Sequence, residues 1–142
     1  MRLVEEVTEL VPGESACGTR VAHPGDWFFQ GHFPDDPVVP AVVLVELLAQ
    51  AGGIAAASGR QHTNGGRMWR VAAIGPFKFP GTARPHQTLE AHARVLGQIG
   101  AIIKIEGEVL ADGVRVAVGS VTLADVGALS RTTDVQTDGR IV

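Results

Sequence analysis

"AVVLVELLAQAGGIAAA", residues 41–57, is the stretch that decides the fold. Its apolar residues lie on nearly every side of a helical wheel, which is typical of a helix enclosed by protein rather than one lying on a surface. Pro40 suits the first turn of such a helix, because an N–H there would have no acceptor within the helix. The sequence therefore predicts one long buried helix around which the rest of the domain is organised.

A membrane span is the alternative for this stretch, because residues 38–57 carry a single charge over a length close to the roughly 20 residues that a spanning helix needs. Glu46 near the middle, Pro40 near the start and the Gly52-Gly53 pair argue against a span. The start of the chain, "MRLVEEVTEL", has three glutamates and no apolar core of a secretory signal. We therefore predict a soluble, cytoplasmic protein with no membrane partner.

The remainder of the chain has the pattern of an antiparallel sheet. Residues 101–110 alternate between apolar and charged positions, as a strand with one buried face does. Asp112-Gly113 predicts a tight hairpin turn, and Pro12 with Gly13 predicts another. The predicted strands are residues 1–10, 16–22, 68–79, 88–97, 101–110 and 114–125. With the helix they predict an α+β fold in which the sheet curls around the helix.

The 142 residues contain no repeat and no linker, so we expect one domain over residues 1–126. Residues 23–40 carry four prolines and two glycines, which favours a fixed, irregular loop. The tail, residues 127–142, is polar and aperiodic, and we expect it to be poorly ordered. Since one sheet covers only part of the helix, dimerisation is expected.

Charge and cysteine content exclude several classes of function. The formal net charge is −3 and the basic residues are scattered, so the basic stripe that nucleic-acid binding requires is missing. Cys17 is the single cysteine, which excludes an internal disulfide and a multi-cysteine metal site. We expect no cofactor, no metal and no nucleic-acid partner.

Glu46 is unusual because it lies inside an apolar helix, where burial of a carboxylate costs several kcal/mol or raises its pKa. Such residues mark functional sites more often than cores, although a polar seam or an arginine partner would also explain it. Gln50, one turn later, could hydrogen-bond to Glu46. His32 lies in the proline-rich loop between Gly31 and Phe33, where the backbone would hold the ring still. On its own, such a histidine is more often structural or exposed.

The stretch "GHFPDDPVVPAVVLVELLAQ", residues 31–50, closely resembles the signature of the 3-hydroxyacyl-[acyl-carrier-protein] dehydratases of fatty-acid synthesis, the FabA/FabZ hot-dog family. "FKF" at 77–79 also resembles a strand of that family, and residues 1–125 follow its outline. Ala41 stands where the family usually has glycine. The matching positions are His32, Phe33, Pro34, Pro37, Pro40, Glu46, Ala49 and Gln50.

The resemblance implies a hot-dog fold, paired into a homodimer with two acyl tunnels at the interface, where the histidine of one subunit meets the glutamate of the other. His32 would then be the base toward C2 of a (3R)-hydroxyacyl thioester, and Glu46 would help to expel the C3 hydroxyl as water. The N–H of Ala41, at the positive end of the helix, would stabilise the thioester oxyanion. Gly31, Phe33 and Gln50 would support these groups. A glutamate, where related isomerases have aspartate, favours plain dehydration.

The resemblance also implies a substrate carried by acyl carrier protein, which is strongly acidic and needs a positive docking patch. Ordinary solubility charges are the other interpretation of the available basic residues. The candidates are Arg60, Arg67, Arg70, Lys78 and Arg84.

Two other functions remain open for this sequence. A hot-dog thioesterase would use a helix carboxylate to activate water, without needing the loop histidine. A non-catalytic acyl-binding module is suggested by Ala41 and by Pro80 and Gly81, which stand where the family usually has a basic pair.

Overall fold

A computed structural model of the chain describes residues 2–30, 35–58 and 69–126. The predicted helix and the six predicted strands are confirmed, but the first strand begins at Glu6, five residues later than predicted, and residues 2–5 are not part of a strand. The tail at 127–142 lies outside the described residues. The elements in chain order are β1 (Glu6–Val11), β2 (Ser15–Val21), a short 3-10 helix (Trp27–Phe29), α1 (Ala41–Ser58), β3 (Trp69–Lys78), β4 (Thr88–Ile99), β5 (Ile102–Ala111) and β6 (Val114–Asp125).

The strands form one antiparallel sheet in the order β1-β2-β4-β5-β6-β3. β1 and β3 are its outer strands within the described part of the chain. The sheet holds α1 on one face, mainly against β4 and β2. The predicted α+β architecture, a long helix wrapped by an antiparallel sheet, is therefore present.

The hairpin predicted at Asp112-Gly113 is confirmed, with φ angles of 48° and 84° at these residues. Both central positions have positive φ, the geometry of the turn that matches the twist of two paired strands. The alternation of β5 is also confirmed, because Ile103, Ile105 and Val109 have no exposed surface. One face of β5 therefore belongs to the core and the other to solvent.

Helix α1 is long and apolar enough to cross a membrane by length and composition, but 61% of its 18 residues are buried inside the domain. The Gly52-Gly53 pair explains how closely it packs. A Cβ at Gly52 would lie 2.7 Å from Cγ2 of Ile105, nearer than two carbons approach without repulsion. α1 is therefore the core helix of this domain, and Gly52 allows it to approach β5.

The irregular loop predicted over residues 23–40 contains one element that the sequence did not predict, the 3-10 helix Trp27–Phe29. The side chains of Phe28 and Phe29 are buried. Their packing in the core holds an ordered turn here, whereas the prolines had predicted no regular structure. Asp26 accepts a hydrogen bond from the backbone N–H of His23 (2.9 Å) and so fixes the start of the turn.

Candidate active site

Glu46 is half-buried on α1 and is bonded to Gln50 one turn later. Nε2 of Gln50 lies 3.1 Å from Oε2 of Glu46, so the amide donates to the carboxylate. Positions i and i+4 of a helix are neighbours on its surface, which is why the sequence could predict this bond. The carboxylate is thereby held on one side of the helix.

The orientation of Gln50 is fixed by the first residues of the chain. Its Oε1 accepts hydrogen bonds from the backbone N–H groups of Leu3 (2.7 Å) and Val4 (3.2 Å). Two backbone donors require the oxygen at this position, and so the amide nitrogen must face Glu46. We call residues 2–5 the N-terminal strap. No local pattern predicts this contact, because Leu3 and Gln50 are 47 positions apart.

The start of α1 offers free backbone donors. The carbonyl of Pro40 accepts from the N–H groups of Val43 (3.0 Å) and Leu44 (3.4 Å), and within the described ranges no acceptor lies at the N–H of Ala41 or Val42. The first turn carries no acidic side chain that would offset the positive end of the helix dipole. Ala41 is exposed, so an anion can approach its N–H.

Gly31, His32 and Phe33, named from the sequence as base and supporting residues, lie outside the described residues. The structure does describe how the chain is anchored on both sides of them. Phe28 and Phe29 are buried before this segment. After it, the N–H of Val39 donates to the carbonyl of Ala83 (2.8 Å). Both flanks are therefore held on the body of the domain.

The basic residues considered for docking are separated by the structure. Arg70 and Lys78 are exposed at opposite ends of β3, whereas Arg84 pairs with Asp36. The start of β3 lies beside Gly53, in the second half of α1. Within the described ranges neither Arg70 nor Lys78 has a carboxylate partner, so both remain candidates for docking. Arg60 and Arg67 lie outside the described residues.

A cavity of about 630 Å³ lies elsewhere, on the face of the sheet opposite α1. It contains neither Glu46 nor Gln50, and its charged lining is largely paired, as in the contacts of Arg94 with Glu106 and of His92 with Glu90 (3.4 Å). It is therefore not the site that the sequence singled out. The polar lining residues are Glu9, Ser15, His92, Arg94, Glu106, Glu108 and Ser120.

Cys17 borders this outer face and is buried. Burial raises the pKa of its thiol above the ordinary value, outweighing a hydrogen bond to Thr8 that acts in the opposite direction. The thiol therefore stays protonated at neutral pH and is a poor nucleophile.

Comparison with known proteins gives a consistent result. A family model described as a FabA-like domain matches residues 1–120. A protein of Oleidesulfovibrio alaskensis named 3-hydroxyacyl-[acyl-carrier-protein] dehydratase FabZ is 34% identical over 122 residues, which cover 86% of this chain and 79% of the relative. A protein of the same name from Bacillus licheniformis is 37% identical over 116 residues, 78% of this chain and 79% of the relative.

Solved structures show the same fold at lower identity. The dehydratase heterocomplex ApeI:P from Xenorhabdus doucetiae matches with a TM-score of 0.61 at 18% identity, over 87% of this chain and 99% of that chain. A thioesterase superfamily member from Thermus thermophilus matches with a TM-score of 0.63 at 18% identity, over 93% and 98%. These likenesses establish the hot-dog fold.

The FabA-like match spans most of the chain, and the signature at residues 31–50 lies within it. The chain therefore belongs to the FabA-like family, with relatives named FabZ-type 3-hydroxyacyl-[acyl-carrier-protein] dehydratases.

Proposed function

We propose that this protein is a hydro-lyase that removes water from (3R)-hydroxyacyl thioesters on acyl carrier protein and releases trans-2-enoyl thioesters during acyl-chain synthesis. The single observation that carries the proposal is the carboxylate of Glu46, held by Gln50 on the buried helix of a FabA-like chain. The relatives at 34% and 37% identity bear the name of this activity.

In the proposed reaction His32 removes the C2 proton. The electron pair of that C–H bond moves toward the thioester carbonyl, whose oxygen becomes negative. The pair then forms the C2–C3 double bond as the C3–O bond breaks, and Glu46, in its protonated form, supplies the proton with which the hydroxyl leaves as water. Return of the proton from His32 to Glu46 restores the starting state. An imidazole, with an ordinary pKa of about 6.5, is suited to this transfer at neutral pH.

The developing oxyanion needs a donor that is already in place, and we assign this role to the N–H of Ala41. The free N–H groups of the first turn and the uncompensated helix dipole support the assignment. One preorganised donor of this kind is typically worth about 3 kcal/mol of transition-state stabilisation. Ala41 differs from the family's glycine by a methyl group, which leaves this N–H unchanged.

The active site is proposed to lie between two copies of the chain. Ala41 and Glu46 are five residues apart on one helix, so their side chains point about 140° away from each other. Glu46 therefore lies on a different side of the helix from the Ala41 side chain, and we propose that it pairs with His32 and Ala41 of the partner. Exposed apolar side chains near β3, such as Ile74 at 59% and Phe79 at 43% exposure, support a dimer through this edge.

The proposed partner is acyl carrier protein, which would approach the exposed end of β3 at Lys78. We also propose a cytoplasmic location, as expected for an enzyme of acyl-chain synthesis. Nucleic acid, metal and cofactor have no part in the proposed reaction.

The direct test uses the purified protein with a 3-hydroxyacyl-carrier substrate. Formation of the conjugated enoyl thioester is followed by ultraviolet absorbance, and thiol release is followed in the same samples. We expect enoyl product without free thiol, and loss of turnover in His32→Ala. Thiol release without enoyl product would instead identify a thioesterase, and binding without turnover would identify an acyl-binding module.

A second test addresses the shared site. His32→Ala and Glu46→Gln chains are each expected to be inactive. When the two variants are unfolded together and refolded, half of the dimers contain one chain of each kind. Each of these mixed dimers has one intact site of two, so about a quarter of the wild-type rate should be recovered. No recovery from folded mixed dimers would contradict an active site built from two chains.

A further inference from the structure

Arg20 is a cation that the fold turns toward the helix. It lies on β2 opposite Leu89 of β4, a residue with no exposed surface. Cross-strand partners share a face of the sheet, so Arg20 points to the core side. Its side chain is only 10% exposed. A buried guanidinium is unfavourable unless its donors find acceptors, so the partners of Arg20 matter.

Arg20 joins two separate segments of the chain. Its Nη2 donates to Oδ1 of Asp26 (2.6 Å), and its Nη1 donates to the carbonyl of Leu3 (3.0 Å). The ring of Phe28 lies 5.6 Å from its Cζ, within the range of a cation–π contact. Asp26 starts the turn Trp27–Phe29, whereas Leu3 belongs to the N-terminal strap. One guanidinium thus holds the turn and the strap together.

The Leu3–Val4 peptide unit is clamped between Arg20 and Gln50. Its carbonyl accepts from Arg20, and its N–H, which belongs to Val4, donates to Oε1 of Gln50 at 3.2 Å. In a trans peptide these two groups point in opposite directions, so the unit transmits the position of one side chain to the other. The connection continues from Gln50 to Glu46 at 3.1 Å.

We propose that Arg20 is a positioning residue for the dehydration. By holding the Leu3–Val4 peptide, it keeps the amide of Gln50 turned toward Glu46. By holding Asp26, it fixes the turn that directly precedes the His32 segment in sequence. The inference rests on the proposed function. In the proposed dimer, His32 and Glu46 of one chain serve different sites, so each Arg20 contributes to both.

The test compares Arg20→Lys with Arg115→Lys. Lysine keeps the charge but lacks the planar fork that reaches two acceptors at once. Arg115 pairs with Glu108 (2.7 Å) on the opposite face of the sheet and is 58% exposed, so the same substitution there is a matched control. A positioning defect lowers kcat more than it raises KM. We expect a loss of about tenfold in kcat for Arg20→Lys and wild-type values for Arg115→Lys.

A second readout does not depend on turnover. Amide hydrogen exchange at Leu3 and Val4 should accelerate in Arg20→Lys and also in Gln50→Met, because both remove one side of the clamp. The kcat losses of the double variant should be smaller than the product of the two single losses, since part of the effect of Arg20 passes through Gln50. Should Arg20→Lys not fold, Asp26→Asn, which keeps an acceptor but removes the charge, is expected to show the same changes more weakly.

Wild-type kcat in a folded Arg20→Lys protein, or unchanged exchange at Leu3 and Val4, would overturn the proposal. The proposal would also be overturned if Arg115→Lys lost as much kcat and as much unfolding free energy as Arg20→Lys, because the effect would then not be specific to Arg20. If the wild type forms no enoyl product, the proposed function fails. The exchange data would still decide whether Arg20 holds the Leu3–Val4 peptide.

Discussion

Gln50 holds Glu46 from one turn away, with its amide nitrogen 3.1 Å from the carboxylate. A neutral amide, and not an arginine, is therefore the described partner of the only charge on α1. An amide orients a carboxyl group without neutralising it as an arginine would, and the proposed reaction needs a carboxyl group that exchanges a proton with the substrate. The backbone of Leu3 and Val4 fixes that amide from the other side.

Replacement of Gln50 by methionine should impair both activity and stability. Methionine keeps the length of the side chain but provides neither the donor for Glu46 nor the acceptor for the strap. We expect kcat to fall about tenfold and the free energy of unfolding to fall by about 1–3 kcal/mol, because two backbone N–H groups lose their acceptor. Steady-state kinetics and urea unfolding measure the two effects. Gln98→Met, at the exposed end of β4, should change neither activity nor stability; an equal effect there would contradict this prediction.

Ala41→Pro should remove the oxyanion donor with little change in the fold. Proline is well tolerated at the first position of a helix, where it deletes only an unused N–H. We expect kcat to fall by about 10²- to 10³-fold and the melting temperature to stay close to that of the wild type. Ala41→Gly keeps the N–H and is the matched control, with activity retained. Full activity in Ala41→Pro would assign the oxyanion donor elsewhere.

Lys78→Glu should weaken the use of carrier-bound substrate alone. Reversal of a charge at a docking rim slows association with an acidic partner, so KM for the acyl-carrier substrate should rise about tenfold. KM for a short thioester without a carrier should not change. Lys104→Glu, on the outer face of β5, serves as control. A similar rise for both substrates would point to damage at the active site and not to docking.

Gly52→Ala should destabilise the protein although alanine favours helix. The gain in helix propensity is about 1 kcal/mol, but the added methyl would lie 2.7 Å from the fully buried Ile105, and overpacking costs about 1–3 kcal/mol. Gly53→Ala makes the same change one residue later, where the nearest atom, on Trp69, is 3.2 Å away. Urea unfolding should therefore give a lower free energy of unfolding for Gly52→Ala than for Gly53→Ala. The reverse order would show that α1 does not approach β5 this closely.

The buried thiol of Cys17 should make the protein less stable at alkaline pH. Burial raises the pKa of its thiol in the folded state, so the unfolded chain loses this proton first as the pH rises. The free energy of unfolding should therefore decrease above pH of about 8.5, where an ordinary thiol ionises. Cys17→Ala should show a smaller decrease between neutral and alkaline pH. Identical pH profiles for the two proteins would contradict a raised pKa.

Local pattern was sufficient for much of this fold. The apolar run of α1, the alternation of β5 and the Asp112-Gly113 turn each depend on neighbours in sequence, and the structure has all three. The contact between Gln50 and Glu46 was predictable for the same reason, because helix geometry brings residues four apart together.

Contacts between distant segments could not be predicted in this way. The hydrogen bond from Leu3 to Gln50 spans 47 positions, and no local sequence pattern links the two residues. The core-facing position of Arg20 could not be predicted either, because β2 has no clear alternation of apolar and polar residues that would show which face its charge lies on. The role of Gly52 in packing depends on Ile105, which is far along the chain.

The two outer strands of the sheet differ in a way that bears on how copies of the chain assemble. β1 exposes the carboxylates of Glu6 and Glu9 together with apolar Val7, Leu10 and Val11, whereas β3 exposes the apolar Val71 and Ile74 without an acidic residue. Like charges discourage two β1 edges from joining, while β3 remains open to a second strand. Pairing through β3 alone would cover that edge in each copy. Growth into fibres would then stop at a closed pair, with both ends capped by repelling carboxylates.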